Sequence, residues 1–139
     1  MAPYLLGPDE ALVITGRWPE CRFASVALWT RYLQTYDYAH RSASLNRAST
    51  TLEADGSFRM VLAHSDPGVP NWLDTAGFKQ GTIYGRWYDC DSNPLATLTR
   101  VRLSELRNHL PADTPVVTPE ERAAELRARV RGAQRRRRW

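Results

Sequence analysis

Apolar and polar residues alternate with a period of two over several short segments, which is the pattern of β-strands with one buried face. Residues 22–29 differ because apolar side chains occupy both parities there. This favours a strand buried on both faces, although a helix of that length is also possible. The strand-like segments are residues 11–15, 22–29, 45–53, 57–64, 82–88 and 96–103. Strands without intervening helices predict an all-β fold, an antiparallel sandwich or barrel.

Glycine and proline mark the breaks between these segments. Asp55-Gly56 separates two strand-like segments and predicts a hairpin turn, because glycine tolerates the positive φ that such turns require. Residues 66–81 are rich in proline and glycine and predict a long loop. Long loops in compact domains often carry function, so this segment is a candidate site.

The C-terminal part of the chain has a different pattern. Thr118 and Glu121 match the capping-box pattern of a helix N-terminus, and Pro119 occupies the first helical position. Apolar residues follow at helical spacing. The sequence therefore predicts three parts: a β-sandwich domain over residues 1–110, a proline-rich linker over 111–118, and an amphipathic helix with an arginine-rich tail over 119–139.

Charge is unevenly distributed between these parts. The 139 residues carry a formal net charge of +4, but residues 1–117 hold 11 basic and 12 acidic residues, whereas residues 118–139 hold 8 basic and 3 acidic ones. The domain thus lacks the basic face of a nucleic-acid-binding protein, and we expect no nucleic-acid partner. The Arg135–Arg138 run suits nucleic acid or an anionic membrane surface, but a solvated chain end is the favoured interpretation.

Strong chemical signatures are absent from the sequence. It has no phosphate-binding loop, dinucleotide fingerprint, paired Cys-x-x-Cys or nucleophile elbow, so we expect no cofactor. Three scattered histidines do not predict a metal site. With no signal peptide or membrane span in evidence, we expect a cytoplasmic protein whose two cysteines, Cys21 and Cys90, are reduced rather than joined in a disulfide.

A ligand site is predicted from one strand and the loop before it. Tyr84, Arg86 and Tyr88 share a strand face by the period-two rule, and a cation among aromatic rings suits an anionic or hydroxylated ligand. The long loop can fold back over that strand. His64 is a weak catalytic candidate, since a histidine at a strand end is more often structural. The candidate ligand-binding residues are Arg86, Tyr84, Tyr88, Asn71, Trp72 and Arg47.

Each of these residues also has a purely structural interpretation. Asn71 can bond loop backbone while Trp72 plugs the end of the sandwich, and Arg47 can pair with Asp55 or Glu53.

An ordered set of short motifs resembles a known bacterial family. The set consists of Pro8-Asp9-Glu10-Ala11, Pro19-Glu20-Cys21-Arg22-Phe23-Ala24, Leu45-Asn46-Arg47, Asp55-Gly56-Ser57-Phe58, Asn71-Trp72-Leu73 and Arg86. Over roughly residues 8–106 it is similar to the domain-of-unknown-function family numbered 1214. The resemblance implies a jelly-roll β-sandwich, usually C-terminal to another domain. This chain begins almost directly before the domain, which fits a stand-alone version, a fragment, or a piece that needs a partner.

Three functional hypotheses follow from the sequence. The favoured one is a binding or accessory domain for a small ligand with an apolar body and a polar or anionic handle. An enzyme would instead use His64, Arg86 and Asn71 in one cleft, and whether the protein is an enzyme stays open. An interaction module would dock on a missing partner domain. Because such a domain exposes apolar surface when alone, we expect a homo-oligomer or a partner domain.

Overall fold

The computed structural model describes residues 1–136, which form a mostly β structure with one C-terminal helix, as predicted. There are also two short 3₁₀ helices: Arg47–Ser49 lies between two strands, and Leu103–His109 follows the last strand. Arg137, Arg138 and Trp139, the end of the predicted tail, lie outside the described residues. The elements in chain order are β1 (Ala2–Leu5), β2 (Glu10–Gly16), β3 (Cys21–Thr30), β4 (Ser44–Asn46), β5 (Phe58–Ala63), β6 (Trp72–Asp74), β7 (Gln80–Cys90), β8 (Thr97–Arg102) and α1 (Pro119–Arg136).

The strands form two four-stranded sheets. The first sheet has the order β1-β7-β3-β4 and the second has the order β6-β5-β2-β8. The prediction of a purely antiparallel fold was wrong in one place, because β6 runs parallel to β5, with Val61 opposite Trp72. β6 is only three residues long and lies inside the predicted loop, where so short a strand leaves no readable period.

The main hydrophobic core lies between the two sheets. Alternate residues of β5, namely Phe58, Met60 and Leu62, point into it and are almost completely buried. Val26 and Leu28 of β3 contribute from the opposite sheet. Contributions from both sheets to one core give the molecule a sandwich-like architecture.

A second core covers the far side of the second sheet. Val13, Val61 and Val101 point away from the main core and pack with Leu106, which lies in the 3₁₀ helix after β8. β2 and β5, the two inner strands of this sheet, are therefore buried on both faces, whereas β8 at its edge is largely exposed.

The first sheet is different, and the prediction for β3 was wrong. Ala24, Val26 and Leu28 are buried, but Phe23 on the other face is 44% exposed, and Ala27 and Trp29 are only half-buried. The apolar residues on this outer face do not contact a second layer of strands. They line the cavity described below.

The Asp55-Gly56 turn is present, but it does not join two paired strands. Gly56 has a φ of +80°, and its N–H donates to the Glu53 carbonyl at 2.9 Å. The strand predicted over residues 45–53 ends at Asn46, whose side chain caps the following 3₁₀ turn by accepting from the Ser49 N–H. β5 pairs with β2 and β6 instead. The hairpin prediction was therefore wrong, although the turn geometry was right.

Gly56→Val is expected to lower the free energy of unfolding by about 1 kcal/mol or more, because a β-branched residue is strained at this positive φ. The nearest atom to an added Cβ is the Arg17 Nη1 at 3.5 Å, so the loss comes from the backbone and not from a clash. Urea unfolding measures it. Gly56→Asn is the matched control and should lose less, because asparagine tolerates the left-handed region. Equal stability of Gly56→Val and the natural protein would contradict the assigned turn.

Helix α1 begins at the predicted capping box. The Thr118 hydroxyl accepts from the Glu121 N–H at 3.2 Å, and the Glu121 carboxylate accepts from the Thr118 N–H at 2.8 Å. Two backbone donors of the first turn are thereby satisfied, and two acidic residues lie near the positive end of the helix dipole.

Thr118→Ala is expected to destabilise the first turn of α1 by about 1 kcal/mol, because the cap of the Glu121 N–H is lost. Amide hydrogen exchange measures the effect at residues 120–123. Thr118→Ser keeps the hydroxyl and should exchange at close to the natural rate. Fast exchange across residues 119–133 of the natural protein would contradict a persistent helix.

Candidate functional site

The outer face of the first sheet carries the aromatic and cationic residues that the sequence singled out. Ser25 of β3 lies opposite Arg86 of β7, and Ala27 lies opposite Tyr84. The Trp29 ring stacks on the Tyr84 ring with centroids 4.3 Å apart and planes 9° from parallel. This pair gives the face a flat aromatic platform with Arg86 one step further along β7.

Helix α1 is fastened beside this face through Arg122. Its side chain is only 7% exposed. The guanidinium Nε donates to Asp66 Oδ2 at 2.8 Å, Nη2 donates to the Val69 carbonyl at 2.6 Å, and Nη1 donates to Glu125 at 2.6 Å. The group also lies over the Trp72 ring, 5.4 Å from its centroid. One buried arginine thus ties the first turns of the helix to the loop before β6.

A second arginine fastens the helix further along. Arg129 Nη2 donates to the Ser44 carbonyl at 2.6 Å, and Nη1 donates to the Ser44 hydroxyl at 3.2 Å. Burial lowers the pKa of Arg129 from its ordinary value. These bonds attach α1 to β4, the edge strand of the first sheet.

A cavity of about 650 Å³ lies between α1 and the outer face of the first sheet. Its volume falls within the usual range for small-molecule sites. The sheet side supplies Phe23, Ser25, Ala27, Trp29, Tyr84 and Arg86, and the helix side supplies Arg122, Glu125, Leu126, Ala128, Arg129, Gly132 and Ala133. The lining is mainly apolar and aromatic, with a few charged groups among them.

The three arginines of the cavity differ in their bonding. Arg122 and Arg129 are committed to the carboxylate, carbonyl and hydroxyl groups described above. Arg86 is exposed and has no hydrogen-bond or ion-pair partner among residues 1–135. Its five N–H donors are therefore free to bind a carboxylate, sulfonate or phosphate group in a bidentate way.

Asn71 and Trp72 also line the cavity, but by a different route from the predicted one. Trp72 belongs to β6 in the second sheet, whereas Arg86 is in the first, so the loop does not fold back over its own strand. Ser42 joins the two edges: its hydroxyl donates to the Trp72 carbonyl at 2.7 Å, and its carbonyl accepts from the Asp74 N–H at 2.9 Å. The residues meet because β6 lies against the β4 edge.

The polar groups of Asn71 and Trp72 are occupied by the fold. The Asn71 amide donates to the Thr51 carbonyl at 2.7 Å and to the Arg59 carbonyl at 2.9 Å, and its oxygen accepts from the Thr51 N–H at 2.8 Å. Trp72 Nε1 donates to the Ala63 carbonyl at 3.1 Å. Both residues shape the cavity wall, and neither has a free donor to offer a ligand.

Two of the other predicted ligand-binding residues lie away from the cavity lining. Tyr88 is 54% exposed and sits beyond Arg86 on β7. Arg47 pairs with Glu20 at 3.2 Å and not with Asp55 or Glu53, which pair with Arg17 and Arg59. The 3₁₀ turn after β4 carries Arg47 toward the start of β3, so the expected partners were wrong.

His64 is likewise absent from the cavity lining. Its Nε2 lies 3.1 Å from the Leu6 carbonyl, which only accepts, so Nε2 carries the proton. Nδ1, 2.6 Å from the Thr75 hydroxyl, then accepts from it. With both ring nitrogens bonded, His64 links the end of β5 to two loops. The cleft of His64, Arg86 and Asn71 that an enzyme would need does not assemble.

The helix side of the cavity was missed by sequence reasoning. α1 was predicted as an amphipathic helix, but its small residues, Ala128, Gly132 and Ala133, were not linked to a site. The available signal was the row of apolar side chains on the outer face of β3, because such a face is normally covered by another element.

A second cavity of about 120 Å³ lies over the second sheet, between residues 51–54 and 110–115.

Two negative findings apply to the described part of the chain. Residues 1–136 contain no cluster of three or more histidine, cysteine or acidic side chains placed to hold a metal ion. The same residues form no helix long and apolar enough to cross a membrane.

Comparison with known proteins adds one structural relative. No protein-family model matches the chain, and no curated protein matches it. The chain is similar to an uncharacterized protein from Burkholderia cenocepacia of known crystal structure, with 36% sequence identity and a TM-score of 0.71 over 73% of this chain. The match spans 29% of that protein, so this chain corresponds to less than a third of its structural relative.

Proposed function

We propose that the protein is a binding domain for a small organic anion with an apolar, partly aromatic body, held in the cavity between α1 and the first sheet. The observation that carries the proposal is Arg86, an exposed cation without a partner among residues 1–135, beside the Trp29–Tyr84 platform. The platform suits an apolar body, and the guanidinium suits its anionic end. The proposal assigns no chemistry to His64, because both of its ring nitrogens are bonded.

We also propose a family for the chain and a finer description of its fold. The motif set over residues 8–106 supports membership of the domain-of-unknown-function family 1214, and the two packed sheets are compatible with a jelly-roll sandwich. A cytoplasmic location remains part of this proposal.

Titration with anilinonaphthalene sulfonate tests the function, because this probe combines an aromatic body with a sulfonate. The expected result is one saturable site on the folded protein, with competition from other aromatic carboxylates and weaker competition from their uncharged amides. Mass spectrometry of the purified protein under native conditions should also show any small molecule that copurifies. No saturable binding of any anionic aromatic probe would overturn the proposal.

A second candidate function is an interaction module. The matched part of the Burkholderia protein is 29% of a longer chain, so the equivalent domain there is joined to further polypeptide. In this case the same cavity would hold a segment of a partner domain or of a second copy. Sedimentation of the protein with and without the probe separates the two, since an assembly that forms through the cavity should dissociate as the probe binds.

A further inference from the structure

The chain's two cysteines lie opposite each other on neighbouring strands. Cys21 opens β3, Cys90 closes β7, and the antiparallel register places them directly across from one another. Glu20 and Asp91 continue the pairing, with the Asp91 N–H donating to the Glu20 carbonyl at 3.1 Å. The two strands are therefore held together on both sides of the cysteine pair.

This arrangement meets the geometric requirement for a disulfide. Directly opposed residues of antiparallel strands have Cα atoms about 4.5–5.5 Å apart, depending on which kind of pair they form. Disulfides span Cα separations of about 4.4–6.8 Å. Cys21 and Cys90 are half-buried free thiols, so small reagents reach them.

We propose that Cys21 and Cys90 form a redox-active dithiol, which a small-molecule disulfide of the glutathione type converts to a cross-strand disulfide. In the first step the Cys21 thiolate attacks the small disulfide, forming a mixed disulfide on Cys21 and releasing one small thiolate. In the second step Cys90 loses its proton to solvent, and its thiolate attacks the Cys21 sulfur and releases the second small thiolate. Two electrons pass from the protein to the small disulfide, and each protein thiol gives up one proton.

The order of attack follows from the surroundings of Cys90. Partial removal from water and then the adjacent Cys21 thiol raise the pKa of Cys90 to about 11. The carboxylates of Asp89 and Asp91 flank Cys90 in the sequence, and Asp91 also raises this pKa. Because negative charge on both sides disfavours the Cys90 thiolate, we assign the first attack to Cys21 and the resolution of the mixed disulfide to Cys90.

The disulfide acts on the sheet that carries the cavity. Cys21 shares the parity of Phe23 and Ser25 on β3, and it lies four residues from the Ser25–Arg86 pair. A covalent link here pins the ends of β3 and β7. Because the link closes a long loop in the unfolded chain, oxidation should raise the melting temperature by roughly 10 °C.

The test uses the full chain and its two single variants. The natural protein, incubated with oxidised glutathione, should lose both free thiols without a covalent link between chains and give one crosslinked peptide pair on non-reducing digestion. Cys90→Ser should stop at a glutathione adduct on Cys21, and Cys21→Ser should form its adduct more slowly. The raised melting temperature of the oxidised natural protein should return to its starting value with a reducing agent.

Three results would overturn the proposal. One is a natural protein that keeps both thiols free under conditions in which Cys90→Ser is modified. Another is stable glutathione adducts on both cysteines of one chain. The third is a disulfide that joins two chains and not two strands. None of these results depends on ligand binding, so the test is independent of the function proposed above.

Discussion

Arg86→Ala should reduce binding of anilinonaphthalene sulfonate by about 10- to 100-fold while leaving the fold intact. A charge-assisted hydrogen bond contributes about 1.5–3 kcal/mol, and each 1.4 kcal/mol changes the dissociation constant about tenfold. Arg86 is exposed and has no partner among residues 1–135, so its removal leaves no buried group unpaired. Fluorescence titration measures binding, and circular dichroism with thermal unfolding verifies the fold.

Arg47→Ala is the matched control for Arg86→Ala. Arg47 is also an exposed arginine near β3, but it pairs with Glu20 and lies outside the cavity lining. It should bind the probe as the natural protein does. Equal loss in the two variants would mean that only the overall charge matters, and no loss in Arg86→Ala would remove Arg86 from the site.

Arg122→Ala should release the first turns of α1 from the domain and weaken probe binding. The variant loses hydrogen bonds to Asp66, Glu125 and the Val69 carbonyl and uncovers the Trp72 ring. Breaking a buried ion pair costs about 3–5 kcal/mol. Since the Asp66 side chain is 30% exposed and can be rehydrated, we expect a loss of about 2–3 kcal/mol in the free energy of unfolding. Urea unfolding and amide exchange in residues 119–133 measure the two effects.

Arg127→Ala controls for the loss of an arginine from the same helix. Arg127 is exposed and has no hydrogen-bond partner among residues 1–135. Its removal should change the free energy of unfolding by less than about 0.5 kcal/mol. If Arg122→Ala were as mild as Arg127→Ala, α1 would not be fastened through Arg122.

Regular periodicity accounts for what the sequence predicted well. The strand predicted over residues 57–64 is present as β5, because Phe58, Met60 and Leu62 recur at every second position and face the main core. The start of α1 was predicted from the capping box, a local signal whose partners are three residues apart. Local patterns of this kind depend little on the rest of the fold.

The errors arose where the fold depends on distant parts of the chain. The pairing of β5 with β2 and β6 is set by the sheet and not by the Asp55-Gly56 turn, which explains the failed hairpin. The outer face of β3 was predicted to be buried, since its side chains are apolar. The prediction failed because α1, which lies far along the chain, covers this face only in part and leaves a cavity. No local pattern reveals that the cover leaves a cavity.

The candidate site shows the same division. Tyr84 and Arg86 were placed on one face by parity, which the first sheet follows. Asn71 and Trp72 reach the same cavity through the β4–β6 edge contact, which no sequence spacing encodes. Arg47 lies outside the predicted site because the chain forms a 3₁₀ turn at this position, where a strand was expected.

Amide chemical-shift mapping with anilinonaphthalene sulfonate tests the central claim most directly. The account predicts that saturating probe shifts resonances of residues 23–29, 84–86 and 126–133, which surround the cavity under α1. Residues 110–115, at the second cavity, should stay unchanged. Shifts confined to residues 51–54 and 110–115, with none on β3, β7 or α1, would contradict the assigned site.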